Sequence, residues 1–220
     1  MKKLAQFSLA ISFAACLLAP AVSNAAGVYA GIGFPGLTVG YDYALTSNVS
    51  LRGEFSGGLS VSRNGQRAGI DLNGNFKANS LGAFADWYPM SGSGFRATSG
   101  VTLNDTKVRF SASSQNASAT INGKVVNLAG ESFNLDMKYP GVTPYVGLGY
   151  SSKRNSEKGW GFYADAGVTI GKFATSVSTT VVGKQGITQA DVDAQTSKVR
   201  DSINKLSVLP KLTIGAIYSF

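Results

Sequence analysis

Histidine is absent from this 220-residue chain, and cysteine occurs once, at Cys16. Without histidine there can be no Ser-His-Asp triad, no Asp-His acid–base pair and no histidine-liganded metal. A lone cysteine excludes an intrachain disulfide and a thiolate cluster. "NGK" and "VGK" lack the spaced glycine and the Ser/Thr of a phosphate loop. "DLNGN" has spaced oxygens but lacks the remaining ligands of a calcium loop. No catalytic residue, cofactor or metal site is therefore expected. Long apolar runs are missing too, except at the N-terminus, so no helix of about 20 residues is available to span a bilayer.

That N-terminus reads as an export signal. Lys2 and Lys3 precede an apolar stretch, and "SNA" puts Ser23 and Ala25 at the −3 and −1 positions of a cleavage site. Residues 1–25 are expected to be removed, leaving 26–220 as one domain. An uncleaved anchor fits the processing site less well. A lipoprotein at Cys16 would not continue into the apolar "LLAPAV". Cleavage takes away the one cysteine and lowers the formal net charge of +8 by two. The remaining basic bias suits an anionic surface such as lipopolysaccharide, and export makes nucleic acid an implausible partner.

What is present is alternation. "GLTVGYDYAL" sets Leu37, Val39, Tyr41, Tyr43 and Leu45 against Thr38, Gly40, Asp42 and Ala44, the period of a strand. "WGFYADAGVTI" sets Trp160, Phe162, Ala164, Ala166, Val168 and Ile170 against Tyr163, Asp165, Gly167 and Thr169. "VSLRGEF", "LGAFADW", "FRATSGVTL" and "PYVGLGY" repeat it. Bulky aliphatics occupy one face; glycines, threonines and single charges, with Phe84 and Tyr145 among them, occupy the other. This polarity suits a barrel that is oily outside and small and polar within.

Eight such strands are expected, near 27–34, 36–45, 48–61, 74–88, 94–111, 142–152, 159–174 and 207–220. An even number closes an antiparallel barrel with no open edge, as hydrocarbon demands. The fold class is all-β, an eight-stranded antiparallel transmembrane barrel. "TSN", "PMSGSG" and "KRNSEK" are short turns on one side. On the other, 62–73, 112–141 and 175–206 are long, while Pro35–Gly36 is tight. Tyr43, Trp87, Phe95, Tyr150, Trp160, Tyr218 and Phe220 all fall at the short-turn end, as an interfacial aromatic girdle would.

Within the long loops, Asn64-Gly65 and Asn122-Gly123 read as type I′ hairpin turns. "ITQADVDAQTSKVRDSINKL" predicts one helix over 187–206, capped by Thr188 with Asp191 at N3 and stapled by Ile187 and Val192. Val192, Val199, Ile203 and Leu206 form its apolar stripe. It is either an ordered loop packed on the rim or a lid over the lumen. By parity the lumen holds Asp42, Arg52, Glu54, Asp86, Arg96, Asp165 and Lys211, four acids and three bases. These either pair into a plug or line a narrow path for a small solute.

The closing stretch "LTIGAIYSF", alternating and ending on Phe220, resembles the C-terminal sorting signal that the barrel-assembly machinery reads in bacterial outer-membrane proteins. More narrowly, "TPYVGLGYSSKRNSEKGWGFYADAGVTIGK", the capped helix and "LPKLTIGAIYSF" are similar to the CarO-type eight-stranded proteins of Gram-negative bacteria, and "ADWYPMSGSGFRATSGV" fits the same family's fourth-to-fifth strand junction. The resemblance implies an outer-membrane location and a channel for small polar solutes such as basic amino acids. The expected function is thus a non-enzymatic, narrow porin-like barrel. The alternative is a closed structural or surface-interaction barrel whose extracellular loops bind partners, with Arg63, Arg67, Lys124, Lys198 and Arg200 as the loop cations.

Overall fold

Alternating residues on a strand project to opposite faces, so each segment above can bury one face only by pairing sideways into a curved sheet. The computed structural model describes residues 26–220 except 68–69, 91, 115–117, 154–157 and 205–206; the side chains at 67, 119, 195 and 198–204 are also outside the described set. The expected signal peptide, 1–25, lies outside the described residues as well.

Twelve strands and one helix follow in order: β1 (Ala26–Phe34), β2 (Gly36–Ala44), β3 (Val49–Arg67), β4 (Ile70–Trp87), β5 (Phe95–Ser114), β6 (Ser118–Ile121), β7 (Lys124–Asn127), β8 (Glu131–Lys138), β9 (Val142–Ser151), β10 (Gly159–Ile170), β11 (Ala174–Thr179), α1 (Gln189–Asn204) and β12 (Val208–Ser219). Eight of them, β1-β2-β3-β4-β5-β9-β10-β12, close into an antiparallel ring, with β12 pairing back onto β1. Following the register once round, from Phe34 through Leu212, Ala166, Leu148, Ala97, Trp87 and Val49 and then by the offsets of the β2–β3 and β1–β2 ladders, gives a stagger of about ten residues. That stagger tilts the strands by about 40° and leaves an interior just wide enough for side chains.

The wall is inverted, as the alternation predicts. Leu37, Leu81, Leu103, Leu148, Phe162 and Ile214 lie exposed on the outer surface, whereas Arg52, Glu54, Asp86 and Arg96 are buried inside. At the short-turn end, Trp160 packs on Tyr218 with ring centroids 5.2 Å apart, and Tyr218 on Phe220 at 6.3 Å. Trp87 is exposed at the same end. These rings cluster at the short-turn rim.

Above the membrane the polarity reverts. On β5 the outward residues change from Val101 and Leu103 to Asp105, Lys107 and Arg109, while Val108, Phe110 and Ala112 take the inward side, Phe110 still 47% exposed. Water now wets the outer face, so the apolar side turns in. β8 pairs with this upper part of β5, placing Phe133, Leu135 and Met137 beside Ala112, Phe110 and Val108. β8 and β9 share one register on β5, interrupted only at 139–141. β11 adds outside β8. The strands β8 and β11 correct the expectation that 112–141 and 175–206 are loops.

A second correction concerns Asn64-Gly65. β3 runs through it as paired strand, Asn64 opposite Asn73 and Gly65 opposite Leu72. A bulge between Ser56 and Leu59 shifts the β3–β4 register by one, with Gly58 at φ 84° and its N–H bonded to Asn79 Oδ1 at 3.1 Å. The resulting register carries the hairpin to Arg67↔Ile70, past the Asn-Gly pair. Asn122-Gly123 is the turn expected, with φ of 49° and 80° between Ile121 and Lys124.

The helix runs Gln189–Asn204, slightly inside the expected 187–206. Its capping box is formed: Asp191 N–H bonds to Thr188 Oγ1 at 3.3 Å, and Thr188 N–H to Asp191 Oδ2 at 3.0 Å. Ile187 and Val192, the staple pair, are buried with Val126 and Val181. The helix thus packs on the β6–β7 hairpin. The expected stripe residues Val199, Ile203 and Leu206 lie outside the described side chains, as do Arg67, Lys198 and Arg200.

Candidate functional site

The ring brings six of the seven predicted lumen charges into one network. Arg52 on β3 is its hub. Its Nη1 lies 2.8 Å from Asp165 Oδ2 and 3.3 Å from Glu54 Oε2, and its Nε lies 2.9 Å from Asp86 Oδ2. Arg96 on β5 grips Asp165 with Nη2 at 2.9 and 2.8 Å and approaches Asp86 at 3.7 Å. Lys211 on β12 closes the net on Glu54 at 2.5 Å. Hydroxyls complete it: Tyr29 donates to Glu54 at 2.8 Å, Ser56 to Glu54 at 2.9 Å and Thr98 to Asp86 at 2.6 Å. Three acids meet three bases, and none of the six is more than 8% exposed. Buried charges are tolerated only when paired and hydrogen-bonded in this way.

Asp42 is inward and opposite Arg52 in the ladder, yet only half-buried and outside these ion pairs. The girdle residues Trp87, Trp160, Tyr218 and Phe220 stand apart at the short-turn rim.

Aromatic rings fill the remaining space. Tyr29 and Tyr163 meet edge to face at 4.9 Å, and Phe84 and Tyr145 pack at 4.8 Å. The Arg52 guanidinium sits 5.6 Å from the Tyr29 ring centroid and 5.1 Å from that of Phe84; Lys211 Nζ is 5.1 Å from Phe84. Strand alternation places Phe84, Tyr145 and Tyr163 inside, but it does not show that they occlude the bore. The inward glycines are their seats. A Cβ on Gly40 would lie 2.2 Å from the Tyr29 ring, and one on Gly82 2.2 Å from Phe84. These glycines make room for rings, and the rings occupy that room.

The extracellular part offers a second feature. A cavity of about 200 Å³ lies between the inward apolar face and the helix–hairpin cap, lined by Ile70, Ala112, Ile121, Phe133, Val181 and Val192. The cap is tied by Asp191, which accepts from Asn122 Nδ2 at 2.9 Å and pairs with Lys124 Nζ at 2.9 Å. Among the described residues, no group of acids able to hold a metal ion occurs.

A closed antiparallel ring with an apolar exterior, an aromatic rim and a charged interior defines a transmembrane β-barrel of the outer-membrane type. No family model matches the chain, and no curated protein matches it. Solved structures do. The crystal structure of Acinetobacter baumannii CarO2 superposes with a TM-score of 0.62 at 21% identity, covering 90% of this chain and 100% of that one. Acinetobacter baumannii CarO gives 0.58 at 20% identity, over 88% and 97%. The fold is that of a CarO-type small outer-membrane barrel.

Proposed function

We propose that this protein is a non-enzymatic outer-membrane barrel, closed through the bilayer, whose working surface is its extracellular extension. One observation carries the reading: the bore is occupied by a neutral six-charge network and by the rings of Tyr29, Phe84, Tyr145 and Tyr163. A small zwitterion or basic amino acid taking the porin-like route would have to replace several of these ion pairs at once. Each is buried, so partial replacement leaves a charge unpaired at a cost of several kcal/mol, about 3–5 when one partner is lost. The helix–hairpin cap and the long hairpins then present the surface available to partners.

Planar bilayer recording separates the readings. The mature chain and a 187–206 deletion are both expected to be electrically silent. Discrete conductance in the intact protein would restore the channel reading, and opening only after deletion would make the helix a gate. Either result would overturn the closed barrel.

A further inference from the structure

Three lysines stand side by side on the outer face of the sheet. Lys77 on β4 is the direct cross-strand partner of Lys107 on β5, which is in turn the partner of Lys138 on β8. Neighbouring strands lie about 4.8 Å apart, and like charges directly opposite one another destabilise a sheet. Asp105 offsets part of this, 3.6 Å from Lys77 and 2.8 Å from Lys107. Arg109 is matched by Asp136 at 2.5 Å. Among the described residues no carboxylate pairs with Lys138. Four cations thus face two carboxylates, an imbalance of two positive charges on an exposed strip.

The height of the strip is informative. From girdle residue Phe95 to Lys107 the strand rises about 12 residues at about 3.4 Å each, which at a tilt of about 40° is roughly 31 Å. The apolar band of such barrels is about 25 Å tall, so the lysines sit about 6 Å beyond hydrocarbon, at the level of outer-leaflet headgroups. Two outward rungs below, past Asn79 and Asp105, Leu81 on β4, Leu103 on β5 and Val142 on β9 are also cross-strand partners, and all three are exposed. An apolar rung thus lies under a cationic one. Lys107, Arg109 and Lys138 share a cleft of about 410 Å³, to which Asp136 and its cross-strand partner Ser176 add a carboxylate and a hydroxyl.

We propose that Lys77, Lys107 and Lys138 form a binding site for a phosphate-bearing glycolipid of the outer leaflet, with its acyl chains on Leu81, Leu103 and Val142. A phosphate monoester carries about −1.5 to −2 at neutral pH, which matches the strip's excess, and ammonium groups bind phosphate as point charges. The continuous apolar rung favours a lipid over a soluble phosphate. The site is independent of whether the lumen conducts.

The test uses the mature chain in detergent, with lipid adducts counted by native mass spectrometry. Its probes are bisphosphorylated lipid A, the same lipid dephosphorylated, and inorganic phosphate. Wild type is expected to hold the bisphosphorylated lipid, and Lys77→Gln/Lys107→Gln/Lys138→Gln to bind it at least about tenfold more weakly. Arg63→Gln/Lys124→Gln/Lys184→Gln, which removes the same charge toward the extracellular tip, should keep wild-type binding. Gel mobility with and without heating checks that each variant is folded, and Lys138→Gln alone should show a partial loss if the triple variant does not fold. Equal binding of the dephosphorylated lipid, equal loss in the control variant, or saturation by inorganic phosphate in place of lipid would each overturn the proposal.

Discussion

Replacing Asp165 by asparagine keeps the shape of the plug and removes one charge from its centre. Asp165 takes three contacts of 2.8–2.9 Å from Arg52 and Arg96. Arg52 retains Asp86 at 2.9 Å and Glu54 at 3.3 Å. Arg96 is left with Asp86 at 3.7 Å and the Tyr88 hydroxyl at 3.5 Å. The deficit therefore falls on Arg96, a guanidinium only 2% exposed. Stranding one partner of a buried pair costs about 3–5 kcal/mol, a large share of a typical stability of about 5–15 kcal/mol. Urea unfolding in lipid vesicles, followed by tryptophan fluorescence, should show that loss. Adding Arg96→Gln should recover part of it, because the double variant no longer buries a lone charge, and the cycle gives the coupling directly. Asp105→Asn, which removes an exposed carboxylate from solvent-screened pairs with Lys77 and Lys107, should shift the unfolding curve far less than Asp165→Asn. If Asp165→Asn costs less than about 1 kcal/mol, the network does not hold the bore as described.

Three further outcomes follow from the same geometry. Gly40→Ala should destabilise the barrel by about 1–3 kcal/mol through overpacking on Tyr29, whereas Gly53→Ala, which meets nothing within 4 Å, should be neutral in the same unfolding assay. Gly123→Val forces a β-branched residue to φ 80° and should loosen the β6–β7 hairpin to limited proteolysis; Gly65→Val, lying in paired strand, should not. Bonds from Thr188, Asn122 and Lys124 hold the Asp191 carboxyl well below the ordinary carboxylate range. Its contribution to the helix cap is therefore fully present above about pH 4 and is lost as pH falls toward the folded-state value. Amide protection in 188–194, corrected for the intrinsic pH dependence of exchange, should fall at low pH in wild type, while Asp191→Asn should already be poorly protected at neutral pH.

Much of this was legible because period-two alternation is a local signal. It assigns Arg52, Glu54, Asp86, Arg96, Asp165 and Lys211 to one interior without any knowledge of pairing. The partners are another matter, since whether Arg52 meets Asp165 depends on a register accumulated round the whole ring. The β3–β4 hairpin shows the same limit: the register set by Val49↔Trp87, shifted only one residue by the bulge at Gly58, carries the pairing to Arg67↔Ile70 and past Asn64-Gly65, and only the ladder reveals it. The strand β8 was legible in principle. "ESFNLDMK" alternates Phe133, Leu135 and Met137 with Asn134 and Asp136, but its apolar face points inward where the membrane segments point theirs outward. That reversal of phase, seen also between Leu103 and Val108, marks where lipid ends and water begins.

Nitroxide labels on single introduced cysteines test the inverted wall most directly. At Leu103, Leu148 and Ile214, in a barrel reconstituted in bilayers, lipid-dissolved oxygen should relax the spins far more than a water-soluble nickel complex. Labels on Lys124 and Lys184 should show the reverse. Greater nickel than oxygen accessibility at Leu148 and Ile214 would mean that this face meets water, and the membrane barrel would be refuted.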